Sequence, residues 1–581
     1  MKLTFALLVL ALASVADAQF ELGSIPSLPS GGVPSPGNEG HKGGSSAGKG
    51  GTPAGGKEGT PAGGKEGGSS GGLGLGGLPA GGIPSPVGGG KEGSSSGGLG
   101  VPTGGLPVPG GGEQGGLTSG LTGSLGGLTS ALQPDICAVF SVNPISVSAD
   151  LVKGACNMAK KWQKSLQDAM SSLNPMSPYR NILTPDQKKY WDSVVNCKSV
   201  QCICDYWPKC RALNVDIVKL IATNNTEYAN VTARYGRTTR KEIRAMTDVQ
   251  RRQFFYAMNK LKYEKIDGWS KYDILTSYHA FVPFVPSAHF SAGLLPFHRE
   301  LLKNLEVALR FEHPLASFPY WDSTLDAEVV NPRDSALFSN ELMGSGDGNV
   351  TGGPFRTFSG IPNPNFPLPI LTGGISRAMG VGQQGALFKK EYIDTILAIP
   401  LIQGLVFCTN PFLDTVHAAV HVYVGGLMAD PATSPGDPLF YLHHAFIDYI
   451  WELWRQKNQN RQQRESDVAL PCPYNPFDLP DAPLMPFAVK VRDGYSNKYT
   501  DEFYTYQESP ACSNSCHNSK FLFCNPKNGH CVSKSLAGGS CAGYEELDSC
   551  YKSKCKGGTC VADIAALTKK ADGNSVFTGL G

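Results

Sequence analysis

The stretch Asp437–Trp451, DPLFYLHHAFIDYIW, sets two histidines side by side in an apolar run and places a carboxylate four residues after the second. Asp437 reads as an N-cap and Pro438 as the first helical residue, so a helix is predicted. Neighbours on a helix point about 100° apart, and His443 and His444 therefore cannot both face one site. His444 shares a face with Phe440, Ile447, Asp448 and Trp451, and His443 shares one with Ile447, Ile450 and Trp454. Both faces are apolar, so periodicity alone leaves the choice between them open.

Other histidines fall on similar faces. In LLPFHRELLKNLEVALRFE (294–312), with Pro296 at the expected helix start, Leu301, Leu302, Leu305 and Leu309 follow His298 at helical spacing. His298 is thus expected to face inward, with Arg299 and Glu300 off that stripe and Glu306 at its edge. FLDTVHAAVHVYVGG (412–426) puts His417 and His421 at i and i+4 beside Leu413, Val420 and Val424. SYHAFVPFVPSAHF (277–290) adds His279 and His289 ahead of His298. No Asp or Glu recurs among them at ligand spacing. Buried neutral imidazoles need a partner for each nitrogen, and a metal supplies one. An all-imidazole set suits copper, with zinc as the alternative, whereas hydrolytic two-metal sites use bridging carboxylates.

The 581 residues carry 51 basic and 49 acidic side chains, a balance that gives no electrostatic case for nucleic acid or an anionic membrane surface as partner. Residues 1–18 have the layout of a cleavable secretory signal, and no later stretch is apolar enough to span a bilayer, so a secreted, extracellular product is expected. Residues 19–133 are Gly, Ser and Pro with scattered Leu, and GTPAGGKE stands at 51–58 and again at 59–66. Such a segment cannot offset its chain entropy by burial, and it reads as a disordered spacer or matrix-associating arm without Tyr or Cys. Residues 134–506 have the composition of a folded domain, and 507–581 form a Cys-rich module too poor in apolar mass for a core of its own, with His517 and His530 expected at its surface. Export makes disulfides the expected state of the sixteen cysteines, including CKSVQCICDYWPKC (197–210), where zinc is the competing reading. Sequons at Asn224, Asn230 and Asn349 fit the same route.

HFSAGLLPFHRELLKNLE (289–306) and DPLFYLHHAFID (437–448), with RKEIRAMT and FPYWDSTLD as lesser matches, resemble the tyrosinase family of type 3 dicopper proteins, which includes catechol oxidases and hemocyanins. The resemblance covers roughly residues 181–457. It implies a mainly α fold with a four-helix bundle around two copper ions. It further implies that His279, His289 and His298 bind the first copper, and that His417, His421 and His444 bind the second. It leaves the role of His443 open. The implied activity is oxidation of catechols, and hydroxylation of monophenols such as tyrosine, to o-quinones with dioxygen, in pigment, sclerotisation or cross-linking of a matrix or adhesive. A hemocyanin-like dioxygen carrier and a non-catalytic matrix protein are the alternatives. Two positions depart from some relatives: Ser287 stands where they carry a thioether-forming Cys, and Ala418 stands where strong hydroxylases carry Asn. The first predicts no such bridge, and the second makes catechol oxidation the firmer expectation. In relatives a C-terminal segment can cover the site, a part that the Cys-rich module is a candidate to play.

Overall fold

Helix starts along the chain are written locally. Thr184 and Thr247 each close a capping box with the Gln three residues on, launching helices Pro185–Val195 and Asp248–Tyr263. The computed structural model describes residues 135–562 except 143–146, 172–182, 281–284, 359–373 and 381–384, so the expected signal segment and the arm to residue 133 lie outside the described residues. The helices used below are α1 (Ala149–Ser171), α2 (Pro185–Val195), α3 (Asp248–Tyr263), α4 (Lys271–Thr276), α5 (Leu294–Glu312), α6 (Phe412–Val424) and α7 (Leu439–Asn458). The fold is mainly α: α5, α6 and α7 carry the helical histidines, α3 packs on α5 and α4, and the described strands form only two-stranded pairs. No described helix is long and apolar enough to cross a membrane.

Helix α5 departs from the amphipathic expectation. All its nineteen residues are buried, including Arg299 and Glu300, expected off the apolar stripe, Glu306, expected at its edge, and Lys303. Each charge has a partner there. Arg299 Nε donates to Asp448 at 2.7 Å, Lys303 pairs with Glu300 at 2.9 Å, and Arg240 pairs with Glu306 at 2.8 Å. Pro296 is the third residue of α5 rather than its start, still within the first turn, where its missing N–H leaves no helical bond unmade. Helix α7 begins at Leu439, with Pro438 at the cap and Asp437 one position before it. The Asp437 carboxylate nevertheless accepts the Leu439 N–H at 2.9 Å while Arg377 grips it through two bonds of 2.7 and 2.8 Å.

Strands β1 (Thr238–Arg240) and β2 (Tyr504–Tyr506) pair in parallel and deliver Arg240, Tyr504 and Tyr506 to Asp448 of α7. Beyond them, hairpins β3 (Leu522–Asn525) with β4 (His530–Ser533) and β5 (Ser553–Lys556) with β6 (Thr559–Ala562) are stapled by disulfides 512–524, 516–531, 541–555 and 550–560. This segment completes its small apolar clusters with residues of the helical body: Leu325 joins Cys516, Leu522 and Cys531, and Val329 joins Phe523 and Val532. His530, expected at the surface, is 34% exposed there and pairs with Glu328 of the body at 2.7 Å, and Asn528 donates to the same carboxylate at 3.0 Å. All sixteen cysteines are paired, 197 with 202 and 204 with 210 among them, so no thiolate there remains for zinc.

Candidate metal centre

Six histidines from five segments meet in the bundle. His279 sits on the 3₁₀ turn Ser277–Ala280 that continues α4, His289 on the loop ahead of α5, His298 on α5, His417 and His421 on α6, and His444 on α7. One nitrogen from each of His279, His289 and His298 lies within 4.8 Å of the others, and the same holds for His417, His421 and His444. The two sets abut, because the rings of His298 and His444 stack in parallel at 3.9 Å. Phe440, one turn before His444, roofs both sets: its ring lies 4.3 Å from His444, 5.0 Å from His279 and 5.7 Å from His421. Five of the six are buried and His421 is half-buried. Of the two other histidines of the helical body, His313 caps the C-terminal end of α5, fifteen residues after His298.

The outer nitrogens fix how the inner ones point. Nδ1 of His279 meets the Pro431 carbonyl at 2.8 Å, that of His298 the Leu294 carbonyl at 2.9 Å, and that of His421 the Met428 carbonyl at 3.0 Å. A carbonyl only accepts, so in a neutral ring each Nδ1 carries the proton and each Nε2 presents a lone pair. Burial keeps the rings neutral: it lowers His279 to about 4 and holds His289, His298, His421 and His444 well below the usual imidazole value. His279 and His298 therefore face each other at 3.3 Å, Nε2 to Nε2, with two lone pairs and no proton between them. Such an arrangement repels unless a cation lies between, and neutral imidazole nitrogens are the donors that copper and zinc take. His444 Nε2 stands 3.3 Å from His417 Nε2 and 3.2 Å from His421 Nε2, closing the second set in the same manner. The residues present fit two such ions.

Two carboxylates that spacing did not flag hold this geometry. Asp414, three residues before His417, offers one oxygen to its Nδ1 at 3.3 Å and accepts the Phe290 N–H on the other at 2.8 Å. It thus links a histidine of the second set to the backbone just after His289, where Phe290 takes a left-handed φ of 51°. An acid at i−3 from a buried histidine was the available signal, and it reads equally as a first-turn helix acid. Asp478 accepts the Ala292 N–H at 2.9 Å and an Asn475 amide N–H at 3.0 Å, while Tyr474 donates to the Phe290 carbonyl at 2.6 Å and Ser287 to the Phe477 carbonyl at 3.0 Å. The 474–478 segment therefore splints the His289 loop. Burial pushes the Asp478 carboxyl up to about 7. His443, the other member of the doublet, is fully buried behind the second set, its ring parallel to that of His417 at 5.4 Å.

Residues 269–457 match the family model described as the common central domain of tyrosinase. The chain is 30% identical over 437 residues to a tyrosinase-like protein of Caenorhabditis elegans, covering 71% of this chain and 59% of that one. It is 34% identical over 324 residues to tyrosinase-like protein 1 of Margaritifera margaritifera, covering 51% and 61%. It therefore spans about six-tenths of the length of those two relatives. Against the tyrosinase of Streptomyces antibioticus it is 31% identical over 244 residues, which are 38% of this chain and 84% of that enzyme.

Proposed function

The chain belongs to the tyrosinase family, and on that premise we propose that it is a secreted phenol oxidase whose His279, His289 and His298 hold one copper and whose His417, His421 and His444 hold a second. The observation that carries this reading is the pair of all-imidazole sets joined by the 3.9 Å stack of His298 on His444. A copper pair so held supplies two-electron oxidation of a catechol to an o-quinone with dioxygen as acceptor, and oxygen transfer to a monophenol. The chain supplies the rest. Carbonyls 294, 428 and 431 orient three of the imidazoles, Asp414 orients His417, and Phe440 packs its ring against four of the rings. Ala418 brings no hydrogen-bonding group to the second set, so catechols are the principal substrates and monophenols the slower ones.

We read 134–506 as the copper-binding domain and 507–581 as a module docked on it, with 1–18 a signal and 19–133 an extracellular arm. Full pairing of the cysteines supports an oxidising compartment. The deciding experiment is a copper count on the purified full chain, followed by parallel assays of tyrosine and dopa with oxygen consumption recorded. Two coppers with catechol turnover are expected. Two coppers with reversible oxygen uptake and no turnover of any phenol would establish the carrier reading instead.

A further inference from the structure

His443 is fully buried, yet only one of its nitrogens is satisfied. Nε2 stands 3.2 Å from the backbone carbonyl of His417, and Nδ1 meets no hydrogen-bond partner. Its ring lies between the second histidine set and an apolar wall. On one side it is parallel to His417 (5.4 Å, 3°) and edge-on to His421 (5.0 Å, 78°), and on the other it faces Trp321 at 6.3 Å and Phe388 at 6.4 Å. A carbonyl cannot donate, so Nε2 carries the proton and Nδ1 a lone pair turned into a buried wall. An unpartnered buried acceptor destabilises, and a side chain serving packing alone would be apolar there. The polar contact that offsets this cost reaches one place, the α6 turn that carries both His417 and His421. The carbonyl it engages is also the one that α-helical geometry presents to the amide of His421. Through the chain itself His443 is fixed to His444, the third member of the set.

We propose that His443 is a positioning residue for the second metal ion: by donating Nε2–H to the His417 carbonyl it sets the rotation and separation of α6 against α7, so that three imidazole nitrogens converge. This rests on the copper reading above and adds to it a role for the histidine that does not converge with them. The role is specific to one ion, because the contacts of His443 run chiefly to His417, His421 and His444.

The test uses the full chain, stripped of metal, with Cu(I) delivered from a chromophoric chelator so that two binding events are resolved, and with urea unfolding of the metal-free protein alongside. His443→Phe removes both the donor and the orphaned lone pair. It is expected to leave metal-free stability unchanged or higher while weakening one of the two copper-binding events by about 10- to 100-fold, the usual effect of losing a group that orients a ligand. His443→Gln places an amide N–H where Nε2–H stood and is expected to restore that event, whereas His443→Asn, too short to reach, is not. Both ions bound by His443→Phe as in the wild type would overturn the proposal. Should that variant fail to fold, equal copper binding by the Gln and Asn variants would overturn it. A wild-type chain that takes up fewer than two ions would overturn the copper reading and this inference together.

Discussion

Replacing Asp448 by Asn tests whether the histidine pair is held by a buried ion cluster one turn away. Asp448 follows His444 by four residues on α7, and Arg299 follows His298 by one on α5; the 2.7 Å bond between them ties the two helices where the two rings stack. The Asp448 carboxylate also accepts from Tyr504 at 2.7 Å and Tyr506 at 2.6 Å, with Arg240 at 3.5 Å. Around it Arg240, Arg299 and Arg455 balance Glu306, Asp448 and Glu452, all of them buried. Burial alone would raise this carboxyl, but Arg299 and Arg240 hold it below the usual carboxylate range. Asn keeps the shape and most of the hydrogen bonds, since the tyrosine hydroxyls can turn to accept, but it leaves one guanidinium charge uncompensated. Breaking a buried pair in this way costs about 3–5 kcal/mol, a large share of a domain stability of roughly 5–15 kcal/mol. The assay is urea unfolding of the metal-free full chain at neutral pH, with copper binding measured on the same preparation. The depressed pKa adds a sign: the Asp448 contribution is present above its unfolded value near pH 4 and is lost as pH falls through the lower folded value, so wild type and variant should converge in acid. A loss under about 1 kcal/mol at neutral pH, the worth of an exposed pair, would refute the argument that burial makes this cluster decisive.

Three further outcomes are expected. Asp478, with its folded pKa raised from about 4 to about 7, favours the fold while protonated, and that advantage is lost as pH rises between those values, about 4 kcal/mol in all. Asp478→Asn should therefore gain on the wild type from pH 4 to pH 7 and hold the gain above it; parallel urea stability curves across that range would show the raised pKa to be wrong. Removal of residues 507–581 by an engineered protease site should lower the melting temperature without raising catechol turnover. The cut bares Leu325 and Val329 and takes Ser533 from the buried Ser335 hydroxyl, 2.8 Å away, and among the described residues no contact of the six histidines reaches past residue 506. A rise in turnover would instead make the module a cover for the site. His444→Ala should bind a single copper and lose all phenol oxidation, measured by metal analysis and oxygen consumption; retention of two coppers would transfer the ligand role elsewhere.

Helical periodicity located the inward faces of α5, α6 and α7, because a buried stripe repeats at 3.6 residues whatever it packs against. It misjudged the opposite faces. Arg299 and Glu300 lie off the apolar stripe and Glu306 only at its edge, yet all three are buried because Asp448, Tyr499 and Arg240 come to meet them from far along the chain. The same reasoning explains which site residues stayed hidden. Asp414 reads as a first-turn helix acid until Phe290 N–H is seen on its second oxygen, and Asp478 has no motif at all, since its partner is the backbone of a loop. What links these cases is that a ligand is chosen by the face it sits on, a local property, whereas a residue that orients a ligand is chosen by an acceptor or donor supplied by another segment. On the proposed reading the doublet at 443–444 holds one of each. Its second histidine points where spacing allowed, and its first can be understood only once the carbonyl of His417 is 3.2 Å away. Loss of that one contact should therefore act on metal affinity before it acts on folding, which is the ordering expected of a group whose other nitrogen is left unpaired in an apolar wall.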